Sequence, residues 1–511
     1  MMSKDNFLQQ FKIEYNVPGE FIEIGAAMYE GVCLNDCIVR LPIKTFNRHG
    51  LIAGATGTGK TKSLQLIAES LSKKGVPVLL MDIKGDLSGI AKAAQPNERI
   101  MERIHKIGMN YQPSDNSVEF LTLSKQPGTR LRATVSEFGP LLISKVLGLN
   151  DTQQGIVALL FKYADDRKLP LLDLKDFKSM LNYINGEGKS EIQQEYGAVS
   201  SSSISTILRK VIELEQQGAE LFFGEPSFEI DDLVRKDING RGIISILRLT
   251  DIQDKPKLFS TFMLSLLAET YNKMPEIGDQ DKPRLCIFID EAHLIFDEAS
   301  KQLLDQLETT IKLIRSKGIG IFFITQTPTD IPAAILSQLG LKVQHALRAF
   351  TALDRKAIKS ASENFPISPY YKTDELLLSL GIGEALVTAL NEKGIPTMLT
   401  ATMMAPPASR MDVLTEDELH MIISRSSIAS HYNQVIDSES AYELLRRKMD
   451  ADEQKDEPSK SVKKETTTTS GTLEKVLKSP VARSVATAIA GALTRSLLGV
   501  MGVSTRSRRK R

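Results

Sequence analysis

Short apolar runs alternate with helix-like stretches through most of this chain. The runs Gly50–Ala53, 76–82, Leu285–Ile289 and 321–326 have the length and hydrophobicity of buried strands. Between the first two runs, apolar residues recur every three or four positions from residue 62 onward, which predicts a helix with one buried face. A strand, a helix and a second apolar strand form a βαβ pattern, and this pattern predicts a parallel sheet.

A long segment of different character separates the second strand from the third. Periodic apolar residues predict helices at 153–163, 174–184 and 203–214, inside an insertion of about residues 110–240. The apolar run 243–247 then returns the chain to the sheet. The predicted fold class is therefore α/β, with a mainly parallel sheet, a large helical insertion and a helical C-terminal tail.

The pattern divides the chain into five parts. These are a short N-terminal β leader (1–45), a core that contains the insertion (46–407), a helical extension (408–449), a flexible linker (450–472) and a basic amphipathic tail (473–511). The tail carries apolar residues at helical spacing and ends in a cluster of Arg and Lys. Such a helix can bind a partner, an anionic membrane surface or nucleic acid, or it can pack on the protein's own core.

Composition and charge restrict the class of protein further. The 511 residues are 42% hydrophobic and 25% charged, which is ordinary for a globular protein. Lys and Arg number 64 against 63 Asp and Glu, so a uniformly basic nucleic-acid binder is disfavoured, although a local basic channel is not. Cys33, Cys37 and Cys286 cannot form a disulfide framework. Together with the lack of a signal peptide or an apolar membrane span, this predicts a cytoplasmic protein.

One motif carries specific chemistry, and it lies between the first strand and the first helix of the core. The residues from Gly54 to Thr61 fit the pattern G-x-x-x-x-G-K-[ST] of phosphate-binding loops. The predicted nucleotide-binding residues are Gly54, Ala55, Thr56, Gly57, Thr58, Gly59, Lys60, Thr61 and Lys62. Lys60 would reach the β- and γ-phosphates, and the Thr61 hydroxyl would ligate Mg²⁺. The predicted ligands are therefore ATP and Mg²⁺, and the alternative is a Gly- and Thr-rich turn that matches by chance.

A nucleotide hydrolase also needs a metal site and a base, and two adjacent carboxylates supply both. Asp290 and Glu291 follow the third strand directly. Two desolvated anions repel each other unless a cation lies between them, so their position predicts a metal site. Asp290 would hold Mg²⁺ and Glu291 would act as general base on water. The alternative is an exposed acidic turn.

Three further polar residues are candidates for the same reaction. Gln326 ends the fourth strand, where its amide can orient water and report the bound nucleotide; the alternative is a turn residue before Pro328. Phosphoryl transfer also gains from an added cation, often an Arg supplied by a neighbouring subunit. Arg315 and Arg348 are the candidates, and each is equally compatible with a surface salt bridge.

Taken together, the motifs resemble those of the HerA/FtsK superfamily of P-loop ATPases. The matching segments are 54–61, 82–86, 288–293, 315–320 and 324–326. The run Asp-Ile-Lys-Gly-Asp at 82–86 is similar to the bacterial HerA-like branch that includes the YjgR proteins. The resemblance implies a RecA-like core, a hexameric ring and translocation along DNA. It also implies that Gln326 is the sensor and Arg315 the arginine finger. One departure is that the N-terminal 45 residues are too few for the β-barrel domain that HerA proteins carry there.

Two functions of different classes follow from these observations. The first is a ring-forming ATPase that translocates or unwinds DNA, which a complete catalytic set with a candidate trans Arg favours. The second is an ATP-driven switch or scaffold that acts on protein or membrane partners through the C-terminal tail. The near-neutral charge slightly favours the second.

Overall fold

A computed structural model describes residues 3–278, 280–296, 301–436 and 438–456. The chain forms two compact units. The first contains Met1–Arg132, Gln217–Phe222 and Pro226–Val435. The second contains Ala133–Gln216, Phe223–Glu225 and the described part of Ile436–Arg511.

The first unit is built on one sheet of twelve strands. In chain order they are β1 (Phe21–Tyr29), β2 (Val32–Pro42), β3 (Gly50–Ala53), β4 (Val78–Asp82), β5 (Val118–Thr122), β6 (Thr129–Arg130), β7 (Ile244–Arg248), β8 (Leu285–Ile289), β9 (Ile319–Thr325), β10 (Leu341–His345), β11 (Glu384–Thr388) and β12 (Thr400–Met404).

The order of strands across the sheet is β2-β1-β12-β11-β10-β3-β9-β8-β4-β7-β5-β6. All neighbours from β10 to β6 pair in parallel, and the four strands on the other side pair antiparallel. The predicted α/β class with a mainly parallel sheet is thereby confirmed.

Helices cover the first unit, and a separate group forms the second. Those of the first unit are α1 (Lys4–Glu14), α2 (Lys60–Lys73), α3 (Glu98–Ile107), α9 (Pro256–Lys273), α10 (His293–Phe296), α11 (Lys301–Ile314), α12 (Ala333–Leu336), α13 (Ala352–Ser362), α14 (Thr373–Ser379), α15 (Glu416–Ser424) and α16 (Ala429–Tyr432). Those of the second unit are α4 (Val135–Val146), α5 (Asp151–Arg167), α6 (Leu174–Asn185), α7 (Lys189–Glu195), α8 (Ser201–Gln216) and α17 (Ala441–Asp456).

The central strands are apolar because both of their faces are covered. Every residue of β4, β8 and β9 is buried, as expected for parallel strands between two helical layers. Phe288 of β8 stacks on Phe322 of β9 with ring centroids 4.6 Å apart. This packing fixes the register of two strands whose ends carry the candidate catalytic residues.

The second unit holds its helices together partly through buried polar groups. Asp176 on α6 is only 1% exposed. Its carboxylate accepts a hydrogen bond from the backbone N–H of Tyr442 on α17 at 2.9 Å. Lys448 on α17 donates to the hydroxyl of Tyr183 at 2.7 Å and pairs with Glu191 at 2.9 Å. These contacts attach the last described helix to the rest of its own unit.

The structure differs from the predicted division at three places. The leader 1–45 contains helix α1, and its strands β1 and β2 belong to the main sheet. In the stretch predicted as insertion, β5 and β6 are strands of that sheet, because β5 is a short buried run without helical periodicity. Helix α17 continues to Asp456, into the predicted linker. The rest of the linker and the tail 473–511 lie outside the described residues.

Among the described residues, none of the helices combines the length and apolar character required to span a bilayer.

Candidate nucleotide-binding site

The loop that joins β3 to α2 has the backbone shape of a phosphate cradle. Gly54, Gly57 and Gly59 have φ angles of 153°, 76° and 115°, which residues with a Cβ rarely adopt. A Cβ on Gly54 would also lie 2.5 Å from the Cβ of His345, so the neighbouring strand leaves no room for one. The loop leads into the first turn of α2, where backbone N–H groups and the helix dipole favour an anion.

Lys60 lies beside this loop and is only 6% exposed. Its ammonium donates hydrogen bonds to the carbonyls of Gly54 at 2.6 Å and Ala55 at 3.2 Å. Burial, and secondly the charge of Lys84, lower the pKa of Lys60. A partly desolvated ammonium whose hydrogen bonds in the described structure go to two neutral carbonyls is well suited to bind an anion.

The neighbouring loop residues are held by backbone contacts. The N–H of Ala55 donates to the carbonyl of Ala346 at 2.9 Å, and the Thr58 hydroxyl donates to the carbonyl of Ala55 at 2.7 Å. Thr56, at the tip, is exposed. The loop is therefore fixed at its base and open at its tip.

A turn before β11 supports the same loop from the opposite side. The N–H of Gly383 donates to the carbonyl of Thr58 at 2.9 Å. Arg103 of α3 in turn donates to the carbonyls of Gly383 at 2.9 Å and Ile382 at 2.8 Å. The shape of the cradle thus depends on segments far away in the sequence, which the loop motif alone does not reveal.

Thr61 and Lys62 lie in the first turn of α2, and both are half-buried. Lys62 donates to the carbonyl of Met411, so its ammonium is bound to the chain rather than directed only at the loop. Burial lowers the pKa of Lys62. The roles of Thr61 as a metal ligand and of Lys62 in nucleotide binding stay predictions.

The two carboxylates predicted for metal and water lie at the same edge of the sheet as the loop. Strand β9 lies between β3 and β8, and all three run parallel, so their carboxyl ends meet at one edge. Asp290 is 2% exposed, and its Oδ2 atom has no hydrogen-bond partner within the described part of the chain. Burial raises the pKa of Asp290 to about 6, against the opposing effect of Lys84. A buried carboxylate oxygen without a donor fits a cation ligand, so these residues are compatible with Mg²⁺.

Glu291 has an unusual backbone conformation. Its φ angle is 47°, in the left-handed region that costs a residue with a side chain about 1–3 kcal/mol. Its side chain is 8% exposed and forms an ion pair with Lys84. The Nδ1 atom of His293 lies 3.2 Å from the other carboxylate oxygen, so this histidine contacts Glu291 and does more than begin α10. Strain held by surrounding contacts is typical of functional sites.

Asp82 lies beside this pair, at the end of β4. It is 2% exposed and accepts hydrogen bonds from the N–H groups of Gly85 at 2.7 Å and Leu87 at 3.2 Å. Burial, and secondly the charge of Asp86, raise the pKa of Asp82 to about 7. Asp82 therefore shapes the loop that carries Lys84.

A buried histidine supports the first turn of α2. His345, at the end of β10, is fully buried, and its Nε2 lies 2.9 Å from the hydroxyl of Ser63. Its Nδ1 lies 2.9 Å from the carbonyl of Glu384. Burial lowers its pKa to about 4, so the ring is neutral near pH 7. Its position suits a support for the helix rather than a proton donor.

The remaining candidates occupy different edges of the sheet. Gln326 follows β9 and is exposed at the edge that holds the loop. Arg348 is exposed three residues after β10, at this same edge. Arg315 is exposed just before β9, at the opposite edge, roughly 20 Å away along a seven-residue strand. The structure thus brings Gln326 near the loop and keeps Arg315 away from the loop of its own chain.

The sequence assigns no role to two of these supporting residues. Lys84 lies in the recognisable run 82–86 at the carboxyl end of the second strand, where α/β sheets bind ligands, but its pairing with Glu291 depends on the register of β4 against β8. His345 ends a strand in which Leu341 and Val343 alternate with polar residues, and no local motif distinguishes it from a core histidine.

Comparison with protein families and sequences gives a consistent result. The chain matches the family described as helicase HerA-like C-terminal over residues 32–508. It is 22% identical over 368 residues to the DNA double-strand break repair helicase HerA of Sulfolobus acidocaldarius. This alignment covers 71% of this chain and 66% of the relative. It is 23% identical over 384 residues to the protein of that name from Saccharolobus solfataricus, covering 74% and 68%. The matched region spans about two thirds of the length of each relative.

Comparison with solved structures concerns the fold alone. The plasmid coupling protein TrwB, in complex with the non-hydrolysable GTP analogue GDPNP, is similar with a TM-score of 0.51 at 14% identity. The similarity covers 78% of this chain and 100% of that one.

Proposed function

The chain belongs to the helicase HerA-like C-terminal family, and on that premise we propose that it is an ATP-hydrolysing ring ATPase that translocates along DNA. The proposal has three parts: hydrolysis of ATP, assembly into a homo-oligomeric and hexameric ring, and movement of DNA. Each part has its own support and its own test.

One arrangement of residues gives the main support for hydrolysis of ATP. Three adjacent parallel strands, β3, β9 and β8, end at one edge with the glycine-rich loop, Gln326 and the buried pair Asp290 and Glu291. A phosphate cradle, a polar amide and two carboxylates are the groups that phosphoryl transfer to water requires. TrwB, a protein of similar fold, has been solved in complex with a nucleotide analogue, which supports nucleotide binding by this chain.

Each residue then has a defined task. The loop N–H groups and the Lys60 ammonium bind the phosphate oxygens, and Thr61 and Asp290 are the residues that would hold Mg²⁺. A Mg²⁺ ion held there would supply positive charge to offset that of the phosphates. Glu291 accepts a proton from the attacking water, and Gln326 orients that water through its amide.

DNA as the substrate rests on the relatives, because HerA of Sulfolobus acidocaldarius is named a DNA double-strand break repair helicase. Ring assembly is supported by the position of Arg315. It lies at the sheet edge remote from its own loop, where a neighbouring subunit can use it.

Turnover of ATP by the full chain, with and without double-stranded DNA, tests the proposal. We expect turnover that requires Mg²⁺ and rises when DNA is added. Light scattering on the same sample measures the assembled mass. Mg²⁺-dependent turnover that ignores DNA would instead favour a switch acting on protein or membrane partners. Lack of any turnover by an assembled sample would refute the proposal.

A further inference from the structure

Lys84 and Glu291 form an ion pair at the candidate site, and the pair is not a surface contact. The Glu291 side chain is only 8% exposed, whereas the Lys84 side chain is 37% exposed. Exposed pairs contribute little because water screens them. Here one partner is desolvated, so removing the other leaves a buried carboxylate without its cation.

The register of two strands brings the pair together. Met81 of β4 lies opposite Ile289 of β8, and the N–H of Asp290 faces the carbonyl of Met81 at 3.4 Å. Lys84 follows the end of β4 by two residues, and Glu291 follows the end of β8 by two. Parallel pairing therefore delivers both side chains to the same point.

The loop that carries Lys84 is fixed on both sides of that residue. Gln253 donates its amide to the carbonyl of Ile83, and the Asp82 carboxylate accepts the N–H of Gly85 at 2.7 Å. The backbone that carries Lys84 is therefore fixed, which limits the positions that its ammonium can reach. A cation on a fixed backbone can hold its partner in a preferred orientation.

Glu291 is held at its backbone as well. Its left-handed φ of 47° is followed by Ala292, whose N–H donates to the carbonyl of Ile324 at 2.9 Å. Its carboxylate is contacted by Lys84 on one oxygen and by the ring of His293 at 3.2 Å on the other. These contacts lie on both sides of the carboxylate, whose two oxygens have no other hydrogen-bond partner among the described residues.

We propose that Lys84 is a positioning residue, which holds the carboxylate of Glu291 where it meets the attacking water. The inference rests on the proposed function, since it assigns a task within ATP hydrolysis. In this proposal Lys84 acts through Glu291 and does not itself bind the nucleotide. Misplacing a reacting group by about 1 Å lowers rates by about a hundredfold.

The test compares Lys84→Met, which keeps the length of the side chain without its charge, with Lys84→Arg, which keeps the charge. We expect Lys84→Met to lower kcat by about ten- to a hundredfold and to change KM by less than about threefold. Lys84→Arg should recover a substantial part of kcat. Lys106→Met removes an exposed ion pair with Glu102 and should leave both constants unchanged.

A second comparison separates positioning from general damage. In the Glu291→Gln background, Lys84→Met should change the residual rate by less than about twofold, because no base remains to position. Melting temperatures and the affinity for a fluorescent ATP analogue report folding and binding independently of turnover. If Lys84→Met does not fold, Lys84→Gln takes its place.

The outcomes are distinct. Wild-type kcat in Lys84→Met overturns the inference and leaves the proposed function standing. A raised KM with unchanged kcat also overturns it, since Lys84 would then bind phosphate. If Lys84→Met lowers the rate equally in the wild-type and Glu291→Gln backgrounds, its effect is structural and the inference is overturned. A wild-type protein without turnover would refute the proposed function and the inference with it.

Discussion

The buried carboxylate of Glu69 accepts a hydrogen bond from the backbone N–H of Ser409 at 3.0 Å. It also accepts the N–H of Ala408 at 2.6 Å, and Glu69 is only 1% exposed. Glu69 lies on α2, and Ser409 follows the last strand of the sheet. One side chain thus joins the helix that leaves the phosphate-binding loop to a segment 340 positions away.

We expect Glu69→Ala to lower the free energy of unfolding by about 3 kcal/mol or more, because two buried N–H groups would lose their acceptor. Denaturant unfolding measures the change. Glu102→Ala, on the exposed face of α3, serves as the control and should cost less than about 1 kcal/mol. Equal losses in the two variants would contradict this account of Glu69.

Lys60 and Glu291 should separate binding from turnover. Lys60→Ala removes the ammonium beside the loop and should abolish nucleotide binding. Glu291→Gln keeps the shape but not the base, so it should bind nucleotide and lose turnover by about a hundredfold or more. Fluorescent-nucleotide titration and phosphate release measure the two effects. The variant Glu102→Gln, at an exposed residue of α3, should behave as wild type. Glu291→Gln turning over at the wild-type rate would disprove the assignment of the base.

Mixing inactive subunits tests the ring and its arginine finger. Arg315→Ala and Lys60→Ala should each be inactive, and their mixture should regain activity, because one interface can combine an intact loop with an intact Arg. A mixture of Lys60→Ala with Glu291→Gln is the control. Both lesions lie on the same side of the interface, so it should gain nothing. Full activity of Arg315→Ala alone would move the assignment to Arg348, which lies at the same edge as the loop.

The burial of His49 should lower the free energy of unfolding at acid pH. Its Nδ1 accepts the N–H of Ile321 at 3.0 Å, its Nε2 lies 2.9 Å from the carbonyl of Ile311, and burial lowers its pKa to about 4. The folded state therefore keeps the ring neutral, while the unfolded chain takes up a proton below about pH 6.5. The contribution is complete above that pH and is lost as the pH falls toward 4, by up to about 3 kcal/mol.

Unfolding measured across this pH window, for wild type and His49→Gln, checks the sign and the size. The variant should show a weaker pH dependence between about 6.5 and 4. His420→Gln changes an exposed histidine and should retain the wild-type slope. Identical slopes for wild type and His49→Gln would exclude His49 as the titrating group.

The C-terminal residues give a prediction from sequence alone. Removing residues 457–511 should leave basal ATP turnover within about twofold, since the candidate site lies wholly in earlier residues. It should change assembly, or binding to DNA or to vesicles of anionic lipid, because the removed stretch is basic and amphipathic. Ring mass and binding in all three assays equal to wild type would remove any role for the tail. Loss of folding would show that the tail belongs to the core.

The parts of the site that sequence could predict are those with local chemistry. Gly54 to Thr61 form a contiguous motif, and the strand before Asp290 is apolar throughout, so each indicated its own function. The contact of Lys84 with Glu291, and the support of Thr58 by Gly383, depend on strand register and on a distant turn. Patterns within one segment carry no information about such pairings. Strand β5 was not predicted for a different reason, because its five residues are too few to show a periodicity inside a stretch that is mainly helical.

The position of β1 has a consequence for how the protein is made. Gly25 pairs with Met404, so the N-terminal strands find their place only after nearly the whole first unit has been synthesised. Pairings across such a separation slow folding, because the chain must close a long loop before it gains the contact. A nascent chain that has already extruded the phosphate-binding loop still presents unfinished sheet edges, which are prone to aggregation. We therefore expect synthesis of this protein in the cell to depend on chaperones, and nucleotide binding to begin only after β12 has joined the sheet.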